Sequence, residues 1–129
     1  MKAQIKTKSL FAKPEPEDGV RVLVTRFHPK QDIRFGSAYD CWFRELGPYP
    51  DLLALWNDHK ITEKVFEKLY LDYLVTHDKP FREVGEQLHD IRALIAEGKT
   101  VTLLCFERED EFCHRHLLKK YLEVPITNP

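Results

Sequence analysis

Two short runs constrain the fold of this chain more than any other feature: Arg21-Val-Leu-Val-Thr-Arg-Phe27 and Thr100-Val-Thr-Leu-Leu-Cys-Phe106. Each is almost continuously apolar or β-branched and lacks the alternation of a strand with one wet face. That pattern belongs to strands covered on both sides in a parallel sheet. Parallel neighbours need long crossovers, and the residues between the runs supply helical periods for them. Thr62 is placed to cap a helix whose Val65, Phe66, Leu69, Tyr70, Tyr73 and Leu74 recur on one face. A longer helix runs to Glu97 with Val84, Leu88, Ile91, Leu94 and Ile95 as its stripe, and Gly98 follows as its terminating left-handed residue.

The remaining segments fit the same plan. Gln4 to Phe11 alternates weakly and reads as an edge strand, followed by a connection marked by Pro14, Pro16 and Gly19. Pro29 stops the first buried strand, and residues 30–39 form a loop. Asp40 is expected to cap a short helix, Cys41 to Leu46, ended by Gly47 and Pro48; a second helical piece from Asp51 to His59 turns Leu52, Leu53, Leu55 and Trp56 inward. Asp110 is expected to cap a last helix from Cys113 to Tyr121, and Glu123 to Thr127 to add an edge strand. With 129 residues, 43% of them hydrophobic, the chain suits one domain spanning residues 1–129. The expectation is an α/β fold: a three-layer domain with a small, mainly parallel sheet flanked by helices.

Charge and cysteine usage narrow the function. A net charge of −1, from 20 basic and 21 acidic residues, gives no electrostatic case for a nucleic-acid or membrane partner. Any nucleic-acid role would rest on the loop at 26–34. No stretch has the length of a membrane span, and the first residues lack a signal peptide's apolar core. Three cysteines do not make a disulfide framework, so reduced thiols and a cytoplasmic location are expected. No cofactor motif is present, and the oligomeric state is not legible.

The strand Val22-Leu-Val-Thr-Arg26 with Pro29-Lys30 close behind, then Asp40, Trp42, Glu45-Leu46 and Pro48, then Val101-Thr-Leu-Leu-Cys105 and Cys113-His-Arg115, resembles the family catalogued as domain of unknown function 488. The similarity extends to about Leu122. It implies a compact α/β domain and no established reaction. Thr25 stands where members commonly carry an aspartate, and Lys30 where an arginine usually follows the proline.

Chemistry is expected where the second buried run hands over to the last helix, because α/β proteins place ligands at the carboxyl ends of their strands. On a helical wheel stepped at about 100° per residue, Leu117, Leu118, Tyr121 and Leu122 centre near His114. Cys113 and Arg115 flank that arc, and His116 points away. The leading expectation is a pocket for a small phosphate- or carboxylate-bearing ligand. His114 and Cys113 would be its chemical groups, and Arg26, His28, Lys30, Arg115 and Cys105 would line the ligand. The acidic turn Glu107, Glu109, Asp110 and Glu111 opposes anion capture.

Other readings stand beside it. Cys113 near a helix N-terminus, flanked by His114 and Arg115, has the surroundings of a low-pKa thiol, with Cys105 as a resolving partner. Cys105, Cys113, His114 and His116 are metal-ligand types, but the two histidines face apart, so no metal is assigned. The alternative from a different class is a non-enzymatic interaction domain in which Cys-His-Arg satisfies buried carbonyls. These residues suit either an enzyme or a binding module.

Overall fold

The computed structural model describes residues 4–28, 38–107 and 111–123. Strands β1 (Ile5–Ser9), β2 (Val20–Leu23), β3 (Cys41–Trp42) and β4 (Val101–Cys105) form one sheet in the order β1-β4-β2-β3. Every neighbouring pair is parallel. Helices α1 (Pro50–Asn57), α2 (Glu63–His77), α3 (Glu83–Ala96) and α4 (His114–Glu123) complete the α/β fold expected from the two buried runs. Strand β4, the last among the described residues, is thus inserted between β1 and β2. Ile5 and Val20 both pair with Val101, and Ser9 pairs with Cys105. All five β4 residues are buried, and its carboxyl end opens at the middle of the sheet.

Alternation along the strands divides the core between the two faces. Val22, Val24, Val101 and Leu103 join Leu52, Phe66, Tyr70, Leu74, Leu88, Ile91, Leu117 and Leu118, so all four helices feed one cluster. The opposite layer is thin: Leu23 and Leu104 meet Leu10 and Tyr39, with Trp42 packed alongside. Truncating a fully buried leucine such as Leu103 or Leu118 to alanine costs about 2–5 kcal/mol in cores of this kind.

Several local expectations hold. Thr62 Oγ1 accepts from the Val65 N–H at 3.2 Å, capping α2. Gly98 takes φ +87° after α3, a conformation that a side chain would strain. The edge strand forms at Ile5–Ser9. Leu55 and Val65, assigned inward by period, instead face solvent.

One expectation is corrected. Cys41 and Trp42 pair with Val22 and Leu23 as β3, and only Arg44–Leu46 coils, as a single 3-10 turn. Asp40 caps no helix. Its carboxylate accepts from the Arg21 N–H at 2.8 Å and holds the start of β3 against β2. Gly47 and Pro48 follow too soon for an α-helix to propagate. The loop residues 29–37, including Lys30 and Arg34, lie outside the described residues, as do Asp110 and the tail at 124–129. No helix among the described residues is long and apolar enough to cross a membrane.

Candidate functional site

The centre of interest forms where β4 ends and α4 begins. Phe112 is wedged against Trp56 and Phe66, with ring centroids 5.0 and 5.4 Å away, which anchors the chain just before α4. Leu117 and Leu118 then bury one side of the helix, and its first turn follows them inward. His114 is buried, as the wheel anticipates, and Arg115 is buried completely. Cys113 and Cys105 meet across this junction, and their sulfurs are in direct contact.

Charged groups converge on the Cys105 sulfur. The Arg115 Nη1–H donates to Cys105 Sγ at 2.9 Å and to the Glu107 carbonyl at 2.8 Å. The Glu107 carboxylate, through Oε2, stands 3.2 Å from the same sulfur. Burial pushes that carboxyl above its ordinary range, and Arg115 offsets part of the rise. Sequence reading counted Glu107 in the acidic turn and did not place it at Cys105. The signal was its offset of two from Cys105, which puts both side chains on one side of an extended backbone.

His114 is fixed by its second nitrogen. Nε2 lies 2.5 Å from the Val24 carbonyl, which can only accept, so Nε2 carries the proton. Nδ1 therefore holds its lone pair, 3.6 Å from Cys113 Sγ. Burial, reinforced by the nearby Arg115 and Arg26 charges, drives the imidazole pKa down to about 4, so the ring is neutral at neutral pH. The ligand-type atoms of Cys105, Cys113 and His114 lie within 4.8 Å of one another, close enough to share a metal ion. His116 is not among them, since its Nδ1 lies 3.5 Å from Thr7 Oγ1 in β1.

Arg26 and His28, the other expected ligand residues among those described, spend polar atoms on other partners. Arg26 Nη1 donates to Glu45 Oε2 at 2.9 Å, Nε to the Pro48 carbonyl at 3.0 Å, and Nη2 to the Gly47 carbonyl and Tyr73 hydroxyl, both at 3.1 Å. Gly47 permits this wrap, because a Cβ there would run into the Arg26 backbone N–H. Tyr73 and Tyr70 donate to the Glu45 and Leu46 carbonyls, tying α2 to the same turn. Glu45 entered only through the family resemblance and Tyr70 and Tyr73 only as a helical stripe; separations of 19 to 47 residues conceal the network from the sequence. His28 Nε2 pairs with the Tyr39 hydroxyl at 2.6 Å, and its ring stands edge-on to Trp42. A surface cavity of about 500 Å³ opens away from all of these, lined by Asp78, Lys79, Phe81, Glu86, His89 and Arg92.

Cys41 gives an internal contrast. Burial, then the Asp40 and Asp90 charges, push its thiol pKa up to about 11, so it stays protonated and unreactive at neutral pH. The Cys105–Cys113 pair instead has a cation at one sulfur, a carboxylate beside it and an imidazole lone pair at the other. Such a set can stabilise a thiolate, relay a proton and exchange a disulfide.

Comparison with known proteins agrees with the family resemblance. The chain is 27% identical over 118 residues to a protein of Escherichia coli (strain K12) named uncharacterized protein YeaO, across 92% of this chain and 96% of that one. No solved structure matches. Residues 5–124 match the family described as DUF488-N3a, the active DUF488-N3 subclade, and the chain therefore belongs to the family of domain of unknown function 488.

Proposed function

We propose that the protein is a thiol–disulfide redox protein in which Cys105 and Cys113 form a two-electron couple. The observation that carries this reading is the Arg115 N–H on Cys105 Sγ, with the Cys113 sulfur brought against the same atom. In the reduced state the guanidinium favours the Cys105 thiolate, and Glu107 takes the thiol proton. The thiolate attacks one sulfur of a partner disulfide. That S–S bond breaks, a mixed disulfide forms on Cys105, and the first partner sulfur leaves as a thiolate. Cys113 passes its proton to the partner thiolate that has just left and attacks the Cys105 sulfur, its own sulfur held beside the His114 ring. The second partner sulfur leaves, and the Cys105–Cys113 disulfide closes. Two electrons have moved to the partner, whose two sulfurs collect the two protons.

This assigns Cys105 the first attack, where the sequence favoured Cys113. A partner disulfide bearing carboxylate or phosphate groups would satisfy the small-anion expectation through Arg115. Arg26 would first have to release Glu45 to take part. A cytoplasmic location, expected from the cysteine usage, would return the pair to dithiol through the cell's thiol pool.

The interaction-domain reading keeps one observation in its favour. His114 and Arg115 both bind main-chain carbonyls, those of Val24 and Glu107, as a purely structural clasp would.

An aromatic reporter disulfide separates the two, tested on reduced protein in a Cys41→Ser background. The redox reading expects two reporter thiols released per chain and no adduct retained. Adding Cys113→Ser should release one thiol and leave a stable mixed disulfide on Cys105. If Cys105 and Cys113 each keep an adduct, or neither reacts in the folded protein, the clasp reading stands.

A further inference from the structure

The chemistry of the reduced pair goes one step beyond exchange. We propose that, with both sulfurs reduced, Cys105, Cys113 and His114 bind one thiophilic divalent metal ion of the zinc type through three protein ligands, leaving a fourth position open. This rests on the redox reading in one respect: the two sulfurs must be available as thiolates.

Three features support a built site. The first is the tautomer of His114. Metal-bound histidines donate their other N–H to a carbonyl or carboxylate, which aims the free nitrogen at the ion. His114 already has that arrangement, with Nε2–H on the Val24 carbonyl and Nδ1 toward Cys113. The second is spacing. Zinc bonds of about 2.3 Å to sulfur and about 2.0 Å to nitrogen, at a tetrahedral angle, put the two ligand atoms about 3.6 Å apart. Cys113 Sγ and His114 Nδ1 are separated by 3.6 Å, and the two sulfurs, in contact here, must move apart to about 3.8 Å to bind the ion together. The third is enclosure: all three residues are buried, on a strand end and a helix start packed into the main core.

Charge is accounted for as well. Two thiolates neutralise a divalent ion, so the site adds no net buried charge. Arg115 and the Glu107 carboxylate, both next to Cys105 Sγ, then balance each other in the surroundings. The Arg115 N–H becomes a donor to a metal-bound thiolate, a common outer contact that moderates sulfur basicity without displacing it. With three protein ligands, the fourth position is free for water or a substrate atom, as in catalytic and not structural zinc sites.

Oxidation and metal binding are then mutually exclusive. A sulfur in a disulfide is not a thiolate, so closing the Cys105–Cys113 bond removes two of the three ligands. The ion would protect the reduced pair, and an oxidant would expel it.

The probe is Co²⁺ added anaerobically to fully reduced protein, with Zn²⁺ as competitor. Expected are one Co²⁺ per chain, visible bands of tetrahedral coordination, near-ultraviolet thiolate-to-cobalt charge transfer, and bleaching of all of these by one equivalent of Zn²⁺. Cys41→Ser should bind as the parent does. Cys113→Ser and His114→Gln should each weaken binding by about tenfold or more. Cys105→Ser serves as a second thiol variant should Cys113→Ser fail to fold by circular dichroism. The disulfide form should give no charge-transfer band.

Absence of the bands from reduced protein whose Cys105 and Cys113 thiols are both counted would overturn the metal site and leave the redox couple intact. Bands unaffected by His114→Gln and by both thiol variants would overturn it equally. Conversely, cobalt binding in a protein that never forms the Cys105–Cys113 disulfide would uphold the metal site while defeating the redox reading.

Discussion

Two buried arginines stand near the carboxyl ends of adjacent strands, and they have been put to different uses. Arg26, just beyond β2, is surrounded by oxygen: one carboxylate, two carbonyls and a tyrosine hydroxyl. Arg115, in the first turn of α4, donates to a sulfur and a carbonyl at the end of β4. The planar fork of the first is matched to fixed acceptors, and its charge is neutralised by Glu45. The second holds its charge against a sulfur, which under the proposed redox reading would change state from thiol to thiolate to disulfide. The contrast teaches that neither burial nor residue type marks a functional arginine. What marks it is a partner able to change its protonation or bonding.

The largest separable effect is expected at Arg26. Arg26→Ala leaves Glu45 and two carbonyls without their donor and should cost about 3 kcal/mol in urea unfolding, the lower end for a broken buried pair because Glu45 is partly exposed. Cys105 alkylation in the folded variant should keep its parental rate. A large change in that rate would mean that the two arginines act as one site.

Arg115→Ala should do the reverse. A stability loss of about 2 kcal/mol is expected from the unsatisfied Glu107 carbonyl and the lost packing. The Cys105 thiolate should also lose its cationic donor, slowing alkylation about tenfold at neutral pH. An unchanged alkylation rate would reduce Arg115 to a second Arg26.

A third arginine calibrates the comparison at the surface. Arg92 grips Asp78 with two hydrogen bonds of 2.9 and 3.0 Å, and Tyr121 donates to the same carboxylate at 2.7 Å. Burial alone would raise the Asp78 pKa, but these donors outweigh it and hold the carboxyl below its ordinary value. A depressed folded pKa stabilises the protein above the unfolded carboxyl's pKa, and that stabilisation is lost as pH falls through the folded value. Asp78→Asn should therefore cost about 1 kcal/mol at neutral pH. The gap between wild type and variant in chemical denaturation should close below about pH 4. A gap that persists in acid would show packing, not charge, at work.

The fold was largely legible because its signals are local. The β4 run, the Thr62 cap and the terminating Gly98 each need only a few neighbouring residues to be read. Period also placed His114 inward, since Leu117 and Leu118 fix the buried side of α4. Pairings between distant segments were not legible. Cys41 and Trp42 have the composition of a helix start, and only the neighbouring β2 makes them a strand. Arg26 was read as an anion donor, and its partners in the turn at 44–48, where Gly47 makes room for its backbone, could not be read from sequence. Cys105 and Cys113 were recognised as possible partners, yet the roles of Arg115 and Glu107 at Cys105 required the β4–α4 junction itself.

The central claim is that Cys105 and Cys113 form one redox couple beside Arg115, and equilibration against glutathione buffers tests it most directly. Native protein would be poised across a range of reduced-to-oxidised ratios, quenched with an alkylating agent under denaturing conditions, and mapped by mass spectrometry. The account predicts a single two-electron transition in which Cys105 and Cys113 lose their alkyl groups together, while Cys41 is alkylated throughout. Independent transitions for Cys105 and Cys113, or a glutathione adduct on either that never gives way to the internal disulfide, would contradict it.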